Sequence, residues 1–396
     1  MTRPTAAAPA RRSDNQQDKV YNKADSIVEL RGGGGDAQAA LTRIGAFAAG
    51  LPSLDLSAHR RAVLETASAQ LLSADDGRAG GFFLRPHVVA ELAHIADADL
   101  PRYLFYRFRY ETYPAEKQVD AFPPCVQIEP TSICNYRCVF CYQTDPGLTQ
   151  GRHGHMGMMP FDLFKRIVDE IEGEVEAVTL ASRGEPLMAK EILPMLSYIG
   201  GKFLGLKVNT NAAFLDEAKA HALLQAAPNT IVFSADAADA ELYARLRVNG
   251  KLETVARNIE RFAEIRAKHY PDNKTILRVS GVRFADSQNI DANDLFWRRF
   301  VDQVALVDYI PWENAYEAPA NGRMEPCSDL WRRLFVWWDG RMNPCDVDYK
   351  STLSVGRFPE ISVSQAWRGE AYTRLRQAHL TGGRQTHTPC RGCALS

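Results

Sequence analysis

Between Phe122 and Trp312 short apolar runs alternate with amphipathic stretches through six strand-like segments. The runs are "CVQIEP", "AVTLAS", "LKVNTN", "TIVFSAD", "TILRVSGV" and "LVDYIP", each of strand length. Between them lie "FDLFKRIVDEI", "KEILPMLSYIG", "DEAKAHALLQ", "DAELYARLR" with "LETVARNIERFAEIRAKH", and "NDLFWRRFVDQV". In the first of these Phe161, Phe164, Ile167, Val168 and Ile171 fall on one helical face. This rhythm predicts an α/β domain over residues 121–314, a parallel sheet with outer helices that can curve into a partial barrel. In such folds the chemistry sits on the loops that follow the strands.

The flanks read differently. Residues 1–36 are rich in Ala, Pro, Arg and Gln and end in Gly32 to Gly35. Their apolar content is too low to offset ordering entropy, so disorder is expected. Residues 37–120 read as a mainly helical extension, with Ser57 capping "AHRRAVLETASAQLL". Its "YLFYRFRYETYP" stretch reads as a segment packed against the main domain. A nucleic-acid stacking platform shares that composition, but a net charge of -1 offers no basic excess. Residues 315–396 predict a small α+β domain. It holds a hairpin turning at Asp339-Gly340 and a helix with Val363, Ala366, Trp367, Ala371, Leu375 and Ala378 on one face. No apolar run approaches a membrane span, and the start lacks a secretory h-region. The expected location is the cytoplasm, where cysteines stay thiols and clustered ones bind metal or react.

Three of the eight cysteines crowd into Cys134-x3-Cys138-x2-Cys141, directly after the first strand. Zinc sites use paired elements and four protein ligands, and a redox pair uses two thiols. Iron–sulfur clusters are held by thiolates, ordinarily four, so three leave one iron with an open position. Cys327, Cys345, Cys390 and Cys393 make a second set, which a hairpin, a helix and a CxxC knuckle can bring together. Spacing alone leaves zinc and a cluster both open there. Cys125 reads as a small buried residue.

The first loop, with Phe140 just before its last cysteine, resembles the hallmark of the radical S-adenosylmethionine (SAM) enzymes. The resemblance implies a partial (βα)6 TIM-like barrel whose catalytic cysteines, Cys134, Cys138 and Cys141, hold a [4Fe–4S] cluster. The open iron would chelate SAM, and reduction would release a 5′-deoxyadenosyl radical that takes hydrogen from substrate. "SRGEPLM" is similar to the family's glycine-glutamate-proline motif, with Gly184 for a tight turn and Glu185 for the SAM ammonium. Arg183 stands where a glycine is frequent and puts a cation near the pocket. "VNTNA" resembles the ribose-contacting segment, with Asn209 and Asn211 as contacts and Ala212 in place of the usual glycine. Ser234 and Arg247 resemble contacts to ribose and to the methionine carboxylate. The second set resembles the twitch form of the SPASM extension, which implies one auxiliary [4Fe–4S] cluster on Cys327, Cys345, Cys390 and Cys393.

Alternation along the strands places Gln127 with Glu129, Lys207 with Asn209, and Arg278 with Ser280 on shared faces. Parallel strands buried on both sides read as apolar runs, so one face is expected to line a polar cavity. This points to a small polar substrate, a sugar, cyclitol or related metabolite. Its oxidation would pass one electron to the auxiliary cluster, with Glu313 as a base candidate and flavodoxin or ferredoxin as electron donor. His153 and His155 read as solvated loop residues. The alternatives are a maturase that cross-links a precursor peptide, and a non-enzymatic zinc-stabilised binding protein. Neither nucleic acid nor membrane is an expected partner.

Overall fold

The computed structural model describes residues 9–12, 27–73, 81–313 and 315–395. In chain order the strands are β1 (Ile27–Arg31), β2 (Cys125–Ile128), β3 (Arg137–Cys138), β4 (Ala177–Leu180), β5 (Lys207–Thr210) and β6 (Thr230–Ser234). They continue as β7 (Arg247–Val248), β8 (Ile276–Arg283), β9 (Gln303–Asp308), β10 (Arg333–Val336), β11 (Arg341–Asn343) and β12 (Gly356–Arg357). Ten of them form one sheet in the order β1-β9-β8-β6-β5-β4-β2-β10-β11-β12, and β3 pairs with β7. From β9 to β10 every neighbouring pair is parallel. The fold is α/β, a partial barrel whose six core strands are β2, β4, β5, β6, β8 and β9.

Strand alternation explains which face the helices cover. Val126, Ile128, Val178, Leu180, Val208, Ile231, Phe233, Leu277 and Val279 belong to one buried cluster. Their partners there include Phe164, Ile167, Val168 and Ile171 of helix Phe161–Ile171, and Val255, Ile259 and Phe262 of helix Leu252–His269. Gln127, Thr179, Lys207, Asn209 and Arg278 alternate with those apolar positions and so turn to the concave side. Side-chain caps start the helices where the sequence turns polar: Asp216 on Glu217–Ala226, Asp239 on Ala240–Leu246 and Asn289 on Ile290–Trp297.

The N-terminal third closes the strand-start end. Helices Ala37–Gly50, Ala58–Leu72, Pro86–Leu92 and Leu100–Glu116 share a second core, and Cys125 of β2 and Ala177 of β4 contribute to it. Cys125 is buried there. Aromatic side chains Tyr103, Phe108 and Tyr113 bury almost completely on helix Leu100–Glu116, which explains the density of rings in that stretch.

Two expectations change. Residues 27–31, expected to be disordered, form β1 antiparallel to β9, and residues 9–12 lie against the core through Arg12 N–H to the Phe284 carbonyl. Residues 1–8 and 13–26, which belong to the segment expected to be disordered, lie outside the described residues. The expected C-terminal hairpin joins the core sheet, because β10 pairs with β2 and carries β11 and β12 on the same sheet. Its helix is two helices, Val363–Arg368 and Glu370–Leu380, broken at Gly369. The break shifts the buried face of the second onto Tyr372, Leu375, Arg376 and His379. Among the described residues no helix is long and apolar enough to cross a membrane.

Candidate active site

The three-cysteine loop leaves the end of β2 and is pinned from two sides. Its β3 residue Cys138 pairs with Arg247 of β7, and Thr131 bridges to Met158. Gln143 donates from Nε2 to the carbonyls of Ser132 (2.8 Å) and Arg183, tying the loop to the segment after β4. A side chain at Gly184 would meet the Thr131 carbonyl at 2.3 Å and that of Ile133 at 2.6 Å. Only glycine permits this approach. The adjacent Glu185 N–H donates to the Ile133 carbonyl at 2.9 Å.

Glu185 is buried, and its carboxylate accepts from Thr210 Oγ1 (2.6 Å), Leu187 N (3.1 Å) and Asn211 N (2.7 Å). Burial raises its pKa despite these donors. Asn211 is engaged as well: Nδ2 donates to Asn135 Oδ1 (2.9 Å), and Oδ1 accepts from Ala213 N (2.9 Å). Asn211 therefore braces the cysteine loop. Asn209 differs, because its buried Oδ1 has no partner among the described residues. Ser234 is half-buried at the end of β6, in register with Ser280 of β8. Ala212, in place of the family's usual glycine, keeps a left-handed backbone with φ of 58°. The turn is retained at a steric cost of about 1–2 kcal/mol.

Arg247 joins three groups. Nε donates to Asp236 Oδ2 (2.5 Å), Nη1 lies 3.8 Å from Cys138 Sγ, and the guanidinium stands 5.7 Å from the Phe140 ring centre. Asp236, fully buried, also accepts from Val282 N–H at 2.7 Å and so fixes Arg247 to β8. Phe140 packs on Phe284 at 5.7 Å between ring centres. Asp236 and Gln143 were not anticipated; their signal is positional, one just past a strand end and the other just past the last cysteine.

Arg183 does not face this pocket as a free cation. It makes a bidentate pair with Glu129 (Nε–Oε2 2.8 Å, Nη2–Oε1 2.6 Å), donates to the Tyr349 carbonyl (2.9 Å) and lies over Trp337 at 4.4 Å. The pair is buried, so Glu129 is unavailable to a substrate. Glu313 accepts through Oε1 from Arg11 Nη2 at 2.7 Å and from Tyr309, while its buried Oε2 has no partner among the described residues. His153 is exposed, whereas His155 is half-buried and its carbonyl accepts from Trp338 Nε1 at 3.1 Å.

The donor sets can be tested against the groups they are expected to hold. Burial, then Glu185, pushes the Cys134 thiol up to about 12, and burial raises Cys138 and Cys141. Such thiols become thiolates only beside added positive charge, which iron supplies. Cys327, Cys345, Cys390 and Cys393 line one apolar pocket with Leu375, His379 and Arg384. His379 Nδ1 accepts from Cys327 N (3.2 Å), so Nε2 carries the proton, and this buried atom has no partner among the described residues. Among the described residues no three His, Cys, Asp or Glu side chains converge on a point as a single ion requires. Sets of three and of four thiols fit iron–sulfur clusters.

Between the two sets runs a ring contact. Tyr142, next to Cys141, packs tilted against Tyr349 at 5.0 Å and approaches Trp312 at 6.3 Å, and its hydroxyl donates to the Ser182 carbonyl at 3.0 Å.

Residues 128–277 match the radical SAM superfamily, and residues 327–394 match an iron–sulfur cluster-binding domain, SPASM. A GTP 3′,8-cyclase of Desulforamulus reducens is 25% identical over 192 residues, 47% of this chain and 57% of that protein. The chain thus spans under two thirds of that relative's length. Among solved structures, SuiB of Streptococcus suis is similar at a TM-score of 0.48 and 16% identity, covering 70% of this chain and 73% of that one. BtrN in complex with AdoMet and 2-DOIA is similar at 0.46 and 16%, covering 68% and 92%.

Two predictions come from this geometry. Glu129→Gln leaves Arg183 buried without its charge partner and should destabilise the fold by about 3 kcal/mol; chemical denaturation checks this, and a loss below about 0.5 kcal/mol would contradict it. Gly184→Ala should displace the cysteine loop and lower iron content, whereas Ala212→Gly should leave it intact and change stability by at most about 1 kcal/mol. Iron assay and thermal melts of the two variants separate these effects.

Proposed function

The chain belongs to the radical SAM superfamily and carries a C-terminal SPASM-type iron–sulfur domain; from this premise we propose that it oxidises a small polar metabolite such as a sugar or cyclitol. Its cofactors are [4Fe–4S] clusters and SAM. When bound, they supply a hydrogen-abstracting radical by reductive cleavage of SAM, and a fully ligated second cluster supplies a one-electron acceptor.

The residues divide the work. Cys134, Cys138 and Cys141 hold the open cluster, and Cys327, Cys345, Cys390 and Cys393 hold the closed one. Glu185, braced by Thr210 and Asn211, offers a carboxylate to the SAM ammonium. Arg247, anchored by Asp236, offers a cation beside Cys138 for a carboxylate. Asn209 brings an unpartnered acceptor into the lumen and Ser234 a hydroxyl. Phe140 and Phe284 wall the same side with rings, which keeps water from a reactive carbon centre.

The observation that carries the oxidation is the closed four-thiol pocket on a domain continuous with the core sheet through β2 and β10. A complete thiol set leaves no open iron and suits electron acceptance. Removal of a hydrogen atom, a proton to solvent or a base, and one electron turns an alcohol carbon into a carbonyl. Reduction in the cytoplasm would come from a flavodoxin or ferredoxin.

Under reducing conditions the reconstituted chain should cleave SAM to 5′-deoxyadenosine, and Cys138→Ala should abolish this. With carbon-deuterated polyols, deuterium should appear in 5′-deoxyadenosine together with a carbonyl product. Transfer only from a precursor peptide would replace this reading with peptide modification. Cys345→Ala should halve the iron, from about eight atoms per chain to about four, and stop product formation while SAM cleavage continues.

A further inference from the structure

The barrel holds a second polar space, at the end opposite the cysteine loop. It is lined by the starts of β2, β4, β5 and β10 and roofed by helices Pro86–Leu92 and Leu100–Glu116. Four cations reach it: Arg107, Lys207, Arg278 and Arg333. Two carboxylates do so as well, Glu91 and Glu111.

The charges do not balance within the chamber. Glu111 is already shared by Arg85 and Arg107. Glu91 accepts from the Tyr103 hydroxyl at 2.7 Å and is the carboxylate whose charge acts on both Lys207 and Arg278. Arg333 is spent on the neutral Tyr110 hydroxyl. Arg278 donates from Nε to Gln303 Oε1 at 2.8 Å, yet its Nη2 has no partner among the described residues although the side chain is only 4% exposed. Lys207 makes no hydrogen bond or ion pair with any described residue. Burial, then Arg278, lowers the Lys207 ammonium to about 8, so it still carries charge at neutral pH. A network built only for stability would pair the buried Arg278 donor and the half-buried Lys207 ammonium, since leaving charge unpaired inside a protein is costly. Four cations against two carboxylates leave an excess of two positive charges in one space, which a bound dianion would satisfy.

We infer that this chamber binds a phosphate-type oxyanion, held by Lys207 and by the free Nη2 of Arg278. Two unmatched positive charges complement a phosphate dianion better than a lone carboxylate. A guanidinium edge and an ammonium are also the donors that phosphoryl oxygens take. The site is independent of the cysteine loop and of the reading of its chemistry. It is compatible with free phosphate and with a phosphomonoester, which share the recognised group.

Calorimetric titration of the full reconstituted chain with inorganic phosphate, ethyl phosphate and acetate tests the inference. Phosphate should bind and raise the melting temperature; ethyl phosphate binding equally well would point to an esterified ligand, and its exclusion to the free ion. Lys207→Met and Arg278→Gln should each weaken phosphate binding by about tenfold or more. In phosphate-free buffer Lys207→Met should melt higher than the parent, because it removes a like-charge repulsion beside Arg278. Absence of phosphate binding, binding unchanged in both variants, or a lower melting temperature for Lys207→Met in phosphate-free buffer would each overturn the site. Acetate binding as tightly as phosphate would overturn the dianion.

Discussion

The buried pair of Arg183 with Glu129 is the contact on which the arrangement of this molecule turns. Glu129 follows β2, Arg183 sits in the segment after β4, and the guanidinium goes on to the Tyr349 carbonyl and the Trp337 ring of the C-terminal domain. One side chain thus ties the root of the cysteine loop, the glycine-glutamate segment and the auxiliary domain into a fixed relation. Buried pairs rarely add net stability over apolar packing. What this one contributes is specificity, because no apolar replacement would hold three segments by directional bonds.

From that junction the two cysteine sets acquire different surroundings. The first lies at strand ends, with Arg247 beside Cys138, an unpartnered acceptor on Asn209 and a hydroxyl on Ser234 close in the fold. The second lies in an apolar pocket whose polar neighbours, Arg384 and His379, turn hydrogen bonds to the backbone around the cysteines. One environment can admit a polar ligand and the other excludes it. The rings of Tyr142, Tyr349 and Trp312 span the gap between them. The continuous sheet from β2 to β10 keeps that gap rigid.

Much of this was legible in the chain. The six core strands, the facing of Gln127, Lys207 and Arg278, and the grouping of cysteines into three and four all rest on local periodicity and spacing. What escaped depends on contacts distant in sequence. The parallel pairing of β10 with β2 joins segments some 200 residues apart, and β1 finds an edge on β9 that nothing in its own composition announces. Arg183 read as a cation near the cofactor because its partner lies 54 positions away. The left-handed turn at Ala212 was hidden for another reason: its residue type argues against the conformation it adopts. The excess of cations beneath the barrel is invisible in a chain whose net charge is -1.

The central claim is that the open and the closed cysteine sets behave differently toward SAM. Electron paramagnetic resonance of the reduced, reconstituted chain, with and without SAM, tests it most directly. The account predicts two [4Fe–4S] signals, of which one changes when SAM is added, and that one alone is missing from Cys138→Ala. Two signals that both respond to SAM, or neither, would contradict it.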